Sequence, residues 1–348
     1  MNSRKPVLKL AILFIASFTI IGILAFLSKK SIPKKNGFER RFISTALIPR
    51  KHITFPVKPV KLIGMHSGKI FFQEEKPYEI LTTTPSLDSL QAIKLELPAN
   101  SNPGRSIRMF MQGHHLYLAC RNMPGIIDYN LNTGSVINHA LSGYFNQEAM
   151  SSTDNFIIRI KDRVSQSHLF ARLNLNKKDS MSEDNFSDRK TIGGFETAGL
   201  LYYDTATQQA CYNYFYQNGF ICMDTNLNLT LKARTIDTVT HRNIKVARVA
   251  NSLTMKQPPQ RINYNGSVND GKLFLQSLLK ADNEYELDFN ENTIIDVYSL
   301  KNGSYKGSFY IPAYEEKKAH QFQVVNQKLY ALYGKTVVLY DLGFIADL

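Results

Sequence analysis

The sequence predicts an all-β protein, a six-bladed β-propeller preceded by one N-terminal transmembrane helix. Short runs rich in Leu, Ile, Val, Phe and Tyr, bounded by Gly, Asn and Asp, recur at intervals of the size of a propeller blade. Eighteen uncharged residues, Leu10 to Leu27, stand near the start. No amphipathic helical pattern of twelve residues follows them, so the rest of the chain has only strands to build with.

Residues 1–9 are a basic head with Arg4, Lys5 and Lys9. Residues 10–28 are the anchor: the run is close to the roughly 20 apolar residues that cross a bilayer and has no polar face to turn to water. Cleavage of a leader requires small residues just past the apolar run. Here Ala25-Phe26-Leu27-Ser28-Lys29-Lys30 places large groups there, and no cysteine follows for lipid attachment, so an uncleaved, single-pass anchor is expected. Its orientation is argued from two sides. More basic residues follow the span than precede it, which by the positive-inside rule keeps the domain in the cytoplasm. A short basic head before an apolar run is, however, the form of an export signal, and the propeller is expected on the extracytoplasmic side.

Residues 29–41 read as a linker, polar and interrupted by Pro33 and Gly37. Lys29, Lys30, Lys34, Lys35, Arg40 and Arg41 are candidates for contact with anionic lipid, each contributing on the order of 1 kcal/mol near a headgroup surface. Of the formal charge of +13, residues 1–51 hold eleven bases against one acid, a net of +10; the remaining 297 residues hold 31 bases and 28 acids, a net of +3. That near-neutral domain excludes nucleic acid as the expected partner.

Residues 42–348 form the propeller. Inner-strand text starts near residues 69, 116, 155, 199, 272 and 328, giving spacings of 47, 39, 44, 73 and 56, or six blades with one long insertion. A second text follows in several repeats: Ile127-Asp128-Tyr129-Asn130-Leu131-Asn132-Thr133-Gly134, Ile295-Asp296-Val297-Tyr298-Ser299-Leu300 and Leu339-Tyr340-Asp341-Leu342. The last repeat has room for three strands, about 320–326, 328–333 and 336–342. Because an unpaired edge is a liability, the N-terminal stretch Phe42 to Leu47 is expected to pair with the C-terminal strand and close the ring.

On these repeats the chain resembles a six-bladed, TolB-like β-propeller of the uncharacterised, membrane-attached bacterial kind. The resemblance implies an exported domain, and it carries over no catalytic residue. Relatives commonly bear a lipid-modified cysteine after the leader, where this chain has an anchor helix.

Two stretches break the period. Asn176 to Lys190 is polar and is expected to be a loop, and Thr235 to Arg261 contains Pro258-Pro259, which bars a central strand. The cysteines are Cys120, Cys211 and Cys222. If Asn218-Gly219 makes a two-residue turn, Cys222 faces Phe215 and Cys211 lies four residues on. At about 3.3 Å per residue that is on the order of 13 Å, past the roughly 7 Å limit for a bridge, and no disulfide is predicted.

The chain contains no G-x-S-x-G, P-loop, H-E-x-x-H or C-x-x-C. His114 and His115 are expected on opposite faces of a strand, unable to chelate one ion, and His114, His115, His139 and His168 remain candidates for the ring mouth. Glu284, Glu286 and Asp288 share a face if extended, which would suit calcium or a glycosidase pair, against the alternative of a solvated hairpin tip. The absence of tryptophan argues against quinone-dependent propeller dehydrogenases, and Tyr117, Tyr202, Phe274 and Tyr330 are expected in the blade core. No cofactor is expected. The function expected is a non-catalytic binding or scaffold module for a protein or glycan, the alternative being an exported hydrolase or lyase of polysaccharide or peptide with its residues at the propeller mouth.

Overall fold

The computed structural model describes residues 4–30, 35–43, 46–76, 78–98, 106–121, 124–161, 167–177, 182–184, 186–187, 194–240, 244–249, 252–257 and 259–347. The chain divides into two units, residues 1–37 and 38–348. In the first, helix α1 runs Arg4–Lys30, and its stretch Val7–Ala25 is long and apolar enough to cross a membrane. Lys34 lies outside the described residues.

The second unit is a six-bladed propeller of antiparallel four-stranded sheets. The first strands of blades 1 to 6 are Pro59–His66, Ile107–Gln112, Phe145–Ser152, Gly199–Asp204, Asn263–Asn269 and Gln321–Val325, and adjacent ones contact each other around the ring, those of blades 2 and 3 through the Arg108 side chain. The second strands are Lys69–Glu74, His115–Cys120, Asn155–Lys161, Gln209–Tyr214, Lys272–Ser277 and Lys328–Tyr333. Five of the six repeated texts are therefore second strands. The text at Gly199 is a first strand, because the blade 4 second strand, Q-A-C-Y-N-Y, is too polar to stand out.

Second and third strands are buried on both faces. Tyr117, Phe274 and Tyr330 are almost wholly enclosed, and a cluster of buried apolar residues fills each seam between blades. Fourth strands face solvent and mix polar with apolar residues: Gln91–Lys94, Val136–Ala140, Ser182–Glu183 and Leu229–Ala233 in blades 1 to 4, while Tyr305–Ile311 in blade 5 is more enclosed. Part of the expected loop at 176–190 thus supplies the outer strand of blade 3. The insertion at 235–261 holds a small hairpin, Val246–Val249 with Ser252–Met255.

The ring closes where the chain begins, but seven residues later than expected. Pro49–Thr54, not Phe42 to Leu47, pairs with the blade 6 third strand Thr336–Asp341. An outer strand has water on one side, so polar Pro-Arg-Lys-His-Ile-Thr suits it. In 42–47 Leu47 enters the core between blades 5 and 6 and Ile43 packs against it, while Phe42 stays exposed and stacks on Tyr310 at 5.1 Å.

Cys211 and Cys222 form a disulfide across directly paired residues, with Cα atoms 4.2 Å apart. The expected register fails because Asn218 does not make the turn. Its N–H donates to the Val239 carbonyl at 2.7 Å and its Nδ2 to that of Asp237 at 2.7 Å, drawing residues 215–219 into a longer connection. By chain entropy a bridge across so short a loop is worth about 3 kcal/mol. Cys120 is a free, buried thiol.

Arg40, expected at the lipid surface, is buried. Its Nε and Nη2 donate to the two oxygens of Asp296 at 2.8 and 3.1 Å, and its Nη1 donates to the Leu279 carbonyl at 3.0 Å and to Glu284. Burial opposes this charge most strongly, yet Asp296 and then Glu284 outweigh it and hold the guanidinium above its ordinary pKa. Arg41 stays exposed, donating to the Lys306 carbonyl.

Candidate functional site

Antiparallel order places the start of each first strand, the connection from second to third strand and the end of each fourth strand on one face of the ring. On that face, first strands of five blades converge on a cavity of about 160 Å³. Blade 1 contributes Lys61, blade 2 Arg108, blade 4 Tyr202, blade 5 Asn265 and Gly266, and blade 6 Gln321, with Val60, Ile107 and Leu200 as apolar wall. Convergence of innermost strands makes this cavity the mouth of the axial channel.

The charges there do not balance. Glu148, buried on the blade 3 first strand, accepts Arg121 Nε at 3.0 Å and Nη2 at 2.9 Å, a bidentate pair. Arg108 stands 3.8 Å from the same carboxylate and donates at 3.3 Å to the Glu148 carbonyl and at 3.5 Å to Gln147 Oε1, leaving donors of its fork unused. Lys61 Nζ has no hydrogen-bond acceptor among the described residues and lies 5.4 Å from the Phe110 ring. Burial first, and then Arg108, push the Lys61 ammonium well below the ordinary lysine range, with Glu148 pulling the other way. Burial likewise lowers Arg108.

The neutral groups divide into spent and unspent. Gln73 Nε2 donates to the Ile107 carbonyl at 3.1 Å and its Oε1 accepts the Met109 N–H at 3.0 Å, stitching blade 1 to blade 2. Asn265 Nδ2 donates to the His320 carbonyl at 2.8 Å, stitching blade 5 to blade 6. Among the described residues Gln321 Oε1 is buried without a partner, and Tyr202 Oη lies against the Gly266 N–H but has no acceptor for its own proton. Burial raises the Tyr202 phenol, so it remains a donor. A Cβ at Gly266 would come within 3.0 Å of Tyr202 Oη and of the Phe274 carbonyl, so glycine keeps this wall open.

A larger cleft, about 670 Å³, opens between blades 3 and 4, walled by Phe170, Tyr212 and Tyr214. Buried Arg159 lies 5.4 Å from the Tyr212 ring centre and donates to Thr197 Oγ1 at 2.7 Å and to its carbonyl at 3.1 Å, with no acidic partner among the described residues.

The histidines do not converge. His114 and His115 lie at the turn between the first two strands of blade 2, on the opposite face from the mouth. Their rings are 4.4 Å apart rather than on opposite faces, because His114 belongs to the turn. His115 Nδ1 is 3.0 Å from both Asp128 oxygens. His139 is on the outer strand of blade 2. His168 reaches the blade 3–4 cleft, where burial first, then Arg159 and Lys161, push it down to about 4.

The acidic residues share no strand face. Residues Glu286–Glu291 form a short helix, α2, which places Glu286 and Asp288 in solvent. Glu284 precedes it, buried against Arg40 and accepting from Tyr310 Oη at 2.6 Å. Among the described residues no group of three His, Cys, Asp or Glu could hold a metal ion. The groups that do converge, Lys61 and Arg108, were legible only as a base interrupting an apolar first strand, in V-K-L-I and I-R-M-F. That signal is shared with any surface strand.

No family model and no curated protein matches the sequence. Among solved structures, a DUF4221 family member from Bacteroides vulgatus superposes with a TM-score of 0.52 at 14% identity, over 88% of this chain and 98% of that one. Streptogramin B lyase gives 0.47 at 7% identity over 84% and 97%, and a protein of unknown function from Bacteroides thetaiotaomicron gives 0.46 at 8% over 88% and 73%. At such identities the likeness is one of fold.

Proposed function

We propose that the protein is a membrane-anchored propeller, akin to TolB-like propellers, that binds a protein or glycan partner on the ring face bearing the channel mouth, without catalysis. One observation carries the reading. At that mouth Lys61, Arg108, Tyr202 and Gln321 keep donors and acceptors unspent on the fold. Among the described residues the carboxylate beside them, Glu148, is engaged by Arg121, whereas hydrolysis of a glycosidic bond needs two acids free to exchange protons. The test is capture of a partner from envelope extract by the full chain in detergent micelles. Stoichiometric capture supports the reading; turnover of an envelope polysaccharide or peptide by the same preparation overturns it.

The same proposal places the propeller on the extracytoplasmic side, and the Cys211–Cys222 disulfide supports it, since such bonds persist in oxidising compartments. We expect protein extracted from membranes, denatured and alkylated without reductant to take one label, at Cys120, and three labels after reduction. Three labels without reductant would put the domain in the cytoplasm.

A further inference from the structure

We propose that the channel mouth is a carboxylate-binding site, in which Lys61 and Arg108 hold the two oxygens of the anion and Tyr202 Oη donates to it. The inference rests on the reading of this face as a binding surface and names the group of the partner that the channel takes.

Three observations lead to it. The first is the charge left over. Arg121 and Glu148 neutralise one another through two hydrogen bonds, so Lys61 and Arg108 stand in the same small cavity with little compensation. Lys61 and Arg108 are half-buried, and two like charges sharing one shielded cavity repel each other, where enclosed cations are ordinarily paired. Here a bound anion supplies what the fold omits.

The second is hydrogen-bond capacity. An ammonium has three donors and a guanidinium five. Lys61 uses none on the described residues, and the two hydrogen bonds from Arg108, at 3.3 and 3.5 Å, are long. Tyr202 Oη adds a buried hydroxyl on the wall of the same cavity, set against the Gly266 N–H but with no acceptor for its own proton among the described residues. The depressed affinity of Lys61 for its proton, caused by burial and by Arg108, is the relation an anion between the two would reverse.

The third is size and wall chemistry. About 160 Å³ is the liquid-water volume of roughly five molecules, enough for a carboxylate on a short stem. Val60, Ile107 and Leu200 provide apolar wall beside the donors. A carboxylate has two oxygens at one end and carbon at the other, which matches donors on one side and aliphatic groups on the other. Phosphate presents oxygens in all directions and would leave some against Val60 and Leu200 unsatisfied.

The test uses the full chain in detergent micelles, titrated with sodium propionate against sodium chloride and sodium phosphate at equal ionic strength, and read by thermal unfolding and calorimetry. Propionate should raise the unfolding temperature and bind with measurable heat, and chloride should not. Lys61→Met removes the charge but keeps an apolar side chain of similar length, so that variant should unfold no lower than the parent in chloride, yet bind propionate at least tenfold more weakly. Lys61→Arg should recover much of the affinity. Equal propionate responses in parent and Lys61→Met overturn the proposal, as does no response in the parent. A larger response to phosphate overturns the choice of carboxylate. Partner capture separates this failure from that of the binding-module reading: a partner retained equally by Lys61→Met leaves the module standing and removes the site, whereas propionate binding with no captured partner does the reverse.

Discussion

Replacing Arg40 by Met is expected to destabilise the propeller by about 3–5 kcal/mol, the usual cost of removing one partner from a buried ionic group. In a domain of this size that is a fall of on the order of 10 °C in unfolding temperature. The loss comes from what is left behind. Glu284 and Asp296 both lie inside the structure, and although Ser308 Oγ still donates to Asp296 at 2.5 Å and the Ala281 N–H to Glu284 at 2.5 Å, no cation would remain between them. The triple variant Arg40→Met, Glu284→Gln, Asp296→Asn should therefore recover a large part of the loss, because the uncompensated charges leave with the guanidinium. Arg50 supplies the contrast. Its pair with Asp341 is 64% and 47% exposed, and Arg50→Ala should cost no more than about 1 kcal/mol. Equal melting temperatures for the two single variants would show that the Arg40 cluster holds nothing together.

The second large effect concerns closure of the ring. A chain beginning at Pro56 lacks Pro49–Thr54, and the blade 6 third strand Thr336–Asp341 becomes an edge with unpaired N–H and C=O groups. That edge reads T-V-V-L-Y-D, β-branched and aromatic, which favours pairing between molecules. Such a chain should be recovered as aggregates, or unfold broadly, by size exclusion and circular dichroism. A chain beginning at Phe38 keeps both the closing strand and the Arg40 cluster, and should be monomeric with one cooperative transition. A chain beginning at Ile48 keeps the strand but loses the cluster and Leu47. It should fold, less stably by several kcal/mol, which separates closure from latching. A monomeric, cooperative chain beginning at Pro56 would refute the assignment of Pro49–Thr54 as the joint of the ring.

How much of this was legible follows from where each residue's information lies. The apolar bursts at Lys69, His115, Lys272 and Lys328 were readable because second strands are packed on both faces and select Leu, Val, Ile, Phe and Tyr whatever their neighbours. The closing strand was not, since an outer strand needs only backbone pairing and tolerates Arg50, Lys51 and His52; apolar text beside it drew the assignment to 42–47. The disulfide was missed for a related reason. The register of Gln209–Tyr214 against Phe220–Asp224 is set by the length of the turn, and the turn was set by Asn218 bonding to Val239 and Asp237 from an insertion with no pattern of its own.

The charged residues show the same division. Arg40 and Arg41 are adjacent and identical in kind, yet one is sealed between two carboxylates more than 240 positions away and the other is exposed. Lys61 and Arg108 come from different blades and face one cavity only because both first strands line the same axis. By itself the sequence determined the helix long enough to span a membrane, the all-β class, most of the inner strands and the number of blades. These depend on local periodicity and on burial, which every residue carries in its own chemistry. Only the tertiary structure decided which strand closes the ring, which cysteines meet, which arginine is buried and which cations share the channel, because each is a contact between distant segments, set by closure of the ring and not by any neighbour along the chain.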